Sequence, residues 1–172
     1  GFGLYGGVEH GSSLYNEEIL VPFIISGPGV AKSNRLSYAP EMIDAVYTML
    51  ELSNITTVNV DGQSVVDDVY QTRPAISFKI DHVSVMDGDY KFYASLTYPD
   101  DSKPYELIPL TLYDLATDFD ERNNIIDASP EVVSAMRAII ATRMANDLFP
   151  HITERELSGK QLQQLGELGY TD

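Results

Sequence analysis

Four short β-rich runs between residues 75 and 115 constrain most strongly how this chain can fold. They read "AISFKI", "HVSVMDG", "DYKFYASLTY" and "ELIPLTLYDL", and their residues alternate or are rich in β-formers. Asp87-Gly88 separates the second run from the third, and Pro99 to Ser102 separate the third from the fourth. Because Asp-Gly favours a tight hairpin turn, the pattern predicts an antiparallel meander.

A long helix is predicted directly after the meander, over residues 129–149. Ser129 is suited to cap it, Pro130 to start it and Glu131 to occupy its first turn. Four apolar residues share one face of this helix: Val133, Met136, Ile140 and Met144. Such a stripe indicates packing against the sheet rather than a cofactor site. A further helical spacing occurs in the tail, at Leu162, Leu165 and Leu168.

The first part of the chain has a different pattern. The continuous apolar run "ILVPFIIS", residues 19–26, ends at Gly27-Pro28-Gly29 and predicts a strand buried on both faces, as in parallel sheets. The segment "APEMIDAVYTMLEL", residues 39–52, predicts a helix that starts at Pro40. Its expected buried face consists of Ile43, Val46, Tyr47 and Leu50. We therefore expect two domains, an α/β portion over residues 1–73 and a small α+β subdomain over residues 74–172.

Composition excludes several classes of function. The chain has no cysteine, so these residues hold no disulfide, thiolate metal site or cysteine nucleophile. A net charge of −15 argues against a nucleic-acid partner, which needs a basic face. No apolar stretch reaches the roughly 18 residues of a membrane span. The absence of Met at the first position leads us to expect a piece of a longer protein.

The chain begins with "GFGLYGGVEHG", which spells G-x-G-x-x-G but does not predict a dinucleotide site. That fingerprint needs a preceding strand and a following helix, and the glycines after it disfavour a helix. The alternatives are a connecting loop and a glycine-rich loop close to a ligand, and His10 is the candidate functional side chain of the second. For His82 and His151 we expect structural or solvated roles, and for the acidic stretches "DDSKPYE" and "TDFDERNN" solvated turns.

Several motifs together resemble the sulfatase family of the alkaline phosphatase superfamily. The block "HGSSLYNEEILVPFIISGPGV" is similar to the family's H-G followed by "LYDEELRVPLII-GPG". Further along the chain, "MIDAVYTMLEL" followed by "DGQS" resembles the family's helix and its "DG-x-S" turn, and "DGDYKFY" resembles its "DGRYKLI" hairpin. "LYDLATDFDERNNI" is similar to the family's "LYDLEADPGERNNL", and "LQQLGELGY" is similar to its terminal "LRALGY". Each motif alone is weak, but their order and spacing are specific.

The resemblance implies an alkaline-phosphatase-like α/β sheet domain and the hydrolysis of a sulfuric ester. In the family a formylglycine, made from Cys or Ser in a C/S-x-P/A-x-R motif, is the nucleophile. A divalent cation, usually calcium, is held by carboxylates and an amide or imidazole. Such a cation and nearby basic groups offset charge on the sulfuryl oxygens as the S–O bond breaks.

This chain lacks the nucleophile motif, the early aspartate pair and the D-H-G-E metal ligands, which would directly precede Gly1. The resemblance therefore implies the C-terminal portion of a sulfatase, inactive alone and not itself holding the cation. His10 lies one residue out of register with a lysine that contacts the sulfate in the family. By this likeness it is a candidate substrate-binding or proton-donating group in catalysis.

Family members are usually exported, which favours the periplasm or the outside of the cell for the parent protein. Two alternatives stay open: a phosphonate or phosphate ester hydrolase of the same superfamily, and a binding module without catalysis. Since "ILVPFII" would ordinarily be flanked by strands from the rest of such a domain, we expect this chain alone to self-associate.

Overall fold

The structure, a computed structural model, describes residues 13–31, 35–36, 40–55, 61–66, 71–97 and 105–145. The chain divides into two compact units, residues 1–140 and 141–172. Of the second unit only residues 141–145 are described. The domain boundary expected between residues 73 and 74 stays a prediction.

A four-stranded antiparallel sheet is the central element of the first unit. Its strands are β1 (Ala75–Lys79), β2 (His82–Asp87), β3 (Tyr90–Thr97) and β4 (Glu106–Asp114), and they lie side by side in that order. Asp87 pairs with Tyr90 across a two-residue turn in which Gly88 has a φ of 56°. The predicted meander and its Asp-Gly hairpin are confirmed; the turn expected at Pro99 to Ser102 falls outside the described residues.

One face of the sheet forms an apolar core. Because side chains alternate along a strand, Val83 and Val85 of β2 lie on the same face as Ala94 and Phe92, their partners on β3. All four are fully buried, and so is Leu112 of β4. The opposite face carries Lys91 and Tyr93, which makes it the polar face of the sheet.

Strand β4 contains an irregularity that accommodates a proline. The register with β3 shifts between Tyr93 and Ala94, and Ala94 is opposite Pro109. A proline lacks the backbone N–H needed for sheet pairing and is tolerated at edges and bulges. Strand β4 stands at the edge of the sheet in the strand order, so the bulge and the edge position together allow Pro109.

The long helix, α3 (Pro130–Ala145), follows a 3-10 turn at Ile126–Ala128 and starts at the predicted proline. Met136 and Ile140 of the predicted apolar stripe are buried. The Arg137 guanidinium donates a hydrogen bond to the Leu107 carbonyl at 3.3 Å, so this part of α3 lies against β4. The expected end of the helix near residue 149 and the expected tail helix fall outside the described residues.

Residues 20–26 form no strand, so the prediction of a buried strand at 19–26 is wrong for this structure. Ile19 ends a short helix, α1 (Asn16–Ile19), and Ile24 is 88% exposed. A strand exists only through hydrogen bonds to a neighbouring strand, and none of the described strands pairs with this segment. Pro22 also removes one donor from it. The parallel, alkaline-phosphatase-like sheet thus stays a prediction, while the mixed helix-and-sheet class agrees with the structure.

Helix α2 (Met42–Leu52) is confirmed as an element, but its start and buried face were mispredicted. Pro40 lies before the helix, and Glu41 is its N-cap residue. The buried residues are Asp44, Ala45 and Thr48, whereas Val46 of the expected core face is 43% exposed. Hydrogen bonds explain the difference, because Asp44 and Thr48 accept the backbone N–H groups of Gln63 and Val65. None of the helices in the described part of the chain is long and apolar enough to cross a membrane.

Candidate functional site

His10, the predicted catalytic residue, lies outside the described residues, so its role stays a prediction. The described chain begins three positions later, at Ser13. The Ser13 N–H donates to Glu18 Oε2 at 3.0 Å, and its hydroxyl accepts the N–H of Tyr15 at 3.3 Å. The backbone that leads away from the candidate loop is therefore held by specific hydrogen bonds from its first described residue.

Asn16, Lys91 and Glu121 form a buried cluster, here called the Lys91 cluster. The Lys91 ammonium forms an ion pair with Glu121 Oε1 at 2.6 Å and donates to Asn16 Oδ1 at 2.8 Å. The other Glu121 oxygen, Oε2, accepts the backbone N–H of Asn16 at 2.6 Å. The side chains of Lys91 and Glu121 are 1% and 2% exposed. The cluster joins three segments that are far apart in sequence.

The turn that carries Glu121 is built around a second carboxylate. Asp118 accepts the backbone N–H groups of Arg122 and Asn123 at 3.0 and 2.8 Å. Glu121 itself has a φ of 56°, in the left-handed region that non-glycine residues rarely occupy. The prediction of a solvated turn at "TDFDERNN" is wrong at Glu121, because this backbone conformation accompanies a side chain buried against Lys91.

Burial and pairing act in opposite directions on Lys91. Removal from water lowers the pKa of its ammonium below the ordinary 10.5, and the hydrogen bond and charge of Glu121 raise it again in part. A buried, fully paired ion pair has no access to a substrate. The role that this cluster can have is therefore structural: it holds chain segments in place.

A group of aromatic rings lies on the face of the sheet that carries Lys91. Tyr15 is 5.6 Å from Tyr93 and 6.2 Å from Tyr113, measured between ring centroids. The His82 ring is stacked on Tyr93 at 5.2 Å, and its Nδ1 lies 2.6 Å from Asp81 Oδ1. Burial raises the pKa of Tyr93, and the charges of Asp81 and Glu18 add to this. The rings thus reinforce the attachment of α1 to the sheet.

A second ionic cluster lies at the start of α2. Arg73 Nη2 is 2.7 Å from Asp44 Oδ1 and 2.9 Å from Glu41 Oε2. Burial alone would lower the pKa of Arg73, but its hydrogen bonds to Asp44 and Glu41 outweigh this and raise it. Glu41 Oε1 also accepts the Ile76 N–H at 3.0 Å. This cluster fastens α2 to the beginning of β1.

A cavity of about 910 Å³ lies between the 19–31 segment, α2 and the β1–β2 side of the sheet. Most of the residues that line it are of apolar types, among them Phe23, Ile25, Met42 and Val65, while backbone and polar atoms form nearly half of the lining surface and Arg35 and Glu41 are the ionisable residues. Its apolar side chains are suited to contact with an apolar partner. Among the described residues there is no group of three or more His, Cys, Asp or Glu side chains that could hold a metal ion.

Sequence reasoning from residue types missed the Lys91 cluster. A lysine in a β-rich run and a glutamate in an acidic turn both read as solvated. A usable signal was nevertheless present, because Asn16, Lys91 and Glu121 each belong to one of the motifs quoted for the sulfatase resemblance. In the structure these three motifs are in contact through the cluster.

The chain is similar to a known sulfatase. Arylsulfatase K of Gallus gallus is 26% identical in an alignment 144 residues long, and the alignment covers 74% of this chain. The chain spans about a quarter of the length of that relative, 26%. No family model matches the chain. The similarity confirms the resemblance inferred from the motifs as a sulfatase-family relationship over part of the chain.

Proposed function

We propose that this chain is the C-terminal portion of a sulfatase, a metal-dependent hydrolase of sulfuric esters, and that it is inactive alone. The observation that carries the proposal is the similarity to arylsulfatase K, which covers 74% of this chain and 26% of the length of arylsulfatase K. Under this proposal the rest of the parent protein supplies the nucleophile and the ligands that hold a divalent cation, which we expect to be calcium. The parent would act in the periplasm or outside the cell.

The Lys91 cluster connects three of the motifs that carry the resemblance. Its three residues come from "LYNEE", "DGDYKFY" and "LYDLATDFDERNNI", the motifs that resemble the sulfatase pattern. They meet through an ion pair of 2.6 Å and hydrogen bonds of 2.6 and 2.8 Å. Lys91 and Glu121 match the quoted family patterns, whereas Asn16 stands where the pattern has Asp, a residue that also offers an oxygen to the lysine.

In the proposed enzyme His10 contacts the sulfuryl group or donates a proton to the leaving oxygen. Its flanking glycines allow the loop to approach a bound anion closely. Proton transfer from a single well-placed side chain accelerates a reaction by about 10²–10⁴-fold. We expect His10→Ala in the complete protein to lower kcat by that range, and His82→Gln, at a histidine stacked on Tyr93, to leave it within about threefold.

The experiment is to read the gene upstream of the Gly1 codon and to assay the complete protein. We expect D-[HN]-G-E and C/S-x-P/A-x-R motifs upstream and hydrolysis of 4-nitrophenyl sulfate. Preference for 4-nitrophenyl phosphate or a phosphonate ester would instead assign the protein to the phosphoryl-transfer branch. Hydrolysis of the sulfate by the 172-residue chain would refute its inactivity, and a gene without these motifs would favour a binding module.

We also propose that the 172-residue chain self-associates through the apolar surface around the 19–31 segment and α2. Several large apolar side chains are exposed there: Val21, Ile24, Met42, Val46 and Met49. Val21, Ile24 and Met42 line the same cavity, and a cluster of exposed apolar side chains marks a contact site in soluble proteins.

A further inference from the structure

The Lys91 cluster fixes one residue, Asn16, from two directions. Lys91 holds its side-chain oxygen at 2.8 Å, and Glu121 holds its backbone N–H at 2.6 Å. The Asn16 amide nitrogen, Nδ2, donates in turn to the Phe119 carbonyl at 3.3 Å. Side chain and backbone of Asn16 are therefore both set by the sheet and the 118–123 turn, which leaves this residue little freedom to shift.

Stability alone is a poor reason for such an arrangement. Taking two charges out of water costs free energy, and apolar side chains of similar size often stabilise a core equally well. The left-handed backbone of Glu121 adds a further cost. What a buried, directional ion pair provides beyond stability is a unique position for the group that it binds.

The group held here directly follows the candidate catalytic loop. Asn16 lies six positions after His10, and between them Ser13 is fixed by its N–H bond to Glu18. Tyr15 contacts Tyr93 and Tyr113 of the sheet. Tyr15 and Asn16 are thus both attached to the sheet, and the charged attachment is the one at Asn16.

We infer that Lys91 and Glu121 are positioning residues for residues 13–19, which follow His10 in the sequence, and that they act through Asn16 from 75 and 105 positions further along the chain. Neither residue reaches solvent, so neither touches a substrate. Their effect on catalysis is to fix the position of residues 13–19. The catalytic part of this inference rests on the proposed function, whereas the anchoring of residues 13–19 does not.

The anchoring is tested by amide hydrogen exchange on the 172-residue chain. Lys91→Met keeps the length of the side chain and removes its charge, and we expect protection in a peptide over residues 13–19 to fall at least tenfold. Protection in α2 should change little. Arg73→Met is the matched control, because it breaks ion pairs of similar length at Glu41 and Asp44 without contact to Asn16.

A second variant covers the case in which Lys91→Met does not fold. Asn16→Ala removes the acceptor and leaves the Lys91–Glu121 pair intact, and it should also loosen residues 13–19. Unchanged protection of residues 13–19 in a folded variant would overturn the inference. Equal loss of protection in Arg73→Met would overturn it too, because the effect would then be general destabilisation.

The catalytic consequence is tested in the complete protein with 4-nitrophenyl sulfate. Misplacement of a catalytic group by about 1 Å costs about 10²-fold in rate. We therefore expect Lys91→Met and Glu121→Gln to lower kcat at least tenfold with KM within about threefold, at temperatures where both remain folded. Arg73→Met should retain kcat within about threefold.

The outcomes separate the two proposals. An inactive wild-type protein would refute the proposed function and with it the catalytic role of the cluster, while hydrogen exchange would still decide the anchoring. An active wild type with unchanged kcat in folded Lys91→Met would refute the positioning role and leave the sulfatase proposal standing. Loss of kcat in proportion to loss of thermal stability in all variants, Arg73→Met included, would also refute positioning.

Discussion

At Lys91, burial and the charge of a partner have opposite effects on the pKa of the ammonium group. Burial lowers its pKa below 10.5, and Glu121 offsets this only in part. Between the lowered native pKa and 10.5 the unfolded chain binds more protons than the native chain. The contribution of Lys91 to the free energy of unfolding therefore rises with pH across that interval.

We expect Glu121→Gln to lower the pKa of Lys91 further, because glutamine accepts a hydrogen bond but carries no charge to oppose the desolvation of the ammonium. Titration of the Lys91 side chain followed by NMR measures this. Asp120→Asn is the control, since Asp120 is 58% exposed and pairs with Arg122 at the surface. A Lys91 pKa at or above 10.5, or one that increases in Glu121→Gln, would contradict the assignment.

Gly62 is a residue where space, not backbone angle, requires glycine. A Cβ there would overlap the Ile43 carbonyl oxygen and lie 2.7 Å from the Tyr47 Cβ. The Ile43 carbonyl belongs to α2 and cannot move aside easily, and the adjoining Gln63 N–H is bound to Asp44. This explains why the "DGQS" turn contains glycine at that position.

Gly62→Ala should therefore destabilise the chain by about 1–3 kcal/mol, the usual cost of overpacking. Denaturant unfolding measures the change. Gly88→Asn is a suitable control, because the turn at Gly88 has open space around its Cα and asparagine tolerates a φ of 56°. If Gly62→Ala proves no less stable than Gly88→Asn, the inference that the turn at Gly62 packs too closely on α2 to accept a Cβ is refuted.

Among the elements, those with local signals could be predicted from the sequence. Asp87-Gly88 set the β2–β3 hairpin, and Pro130 set the start of α3. The elements whose environment comes from distant residues could not: Thr48 is buried on α2 because it binds Val65, which periodicity does not encode. The same holds for the Lys91 cluster, whose members are separated by 75 and 105 positions.

The buried face of α2 leads to a prediction about Thr48. Its hydroxyl donates to the Asp44 carbonyl at 2.6 Å and accepts the Val65 N–H at 3.0 Å. Thr48→Val keeps the shape but leaves the Val65 N–H without an acceptor, which costs about 1–3 kcal/mol. Thr48→Ser retains the hydroxyl and should lose less. Thermal or denaturant unfolding compares them, and equal stability of the valine variant and the wild type would refute the role of this bond.

At the scale of the whole molecule, two properties act against each other. The net charge of −15 at pH 7 favours separated chains. The apolar surface around the 19–31 segment and α2, which borders the cavity of about 910 Å³, favours association. Charge repulsion is screened by salt, whereas burial of apolar surface is not.

We therefore expect the 172-residue chain to form a dimer or a larger species whose average mass in sedimentation equilibrium increases with salt. Two isoleucines provide a matched pair of variants: Ile24 on the cavity and Ile80 at the β1–β2 turn are 88% and 87% exposed. Ile24→Asn should shift the mass toward the monomer, because it places a polar group in the apolar contact. Ile80→Asn makes the same chemical change at the same exposure and should leave the mass unchanged. A monomer at high protein and salt concentration would contradict the prediction, and an equal effect of both variants would show that association depends on general surface polarity rather than on this surface.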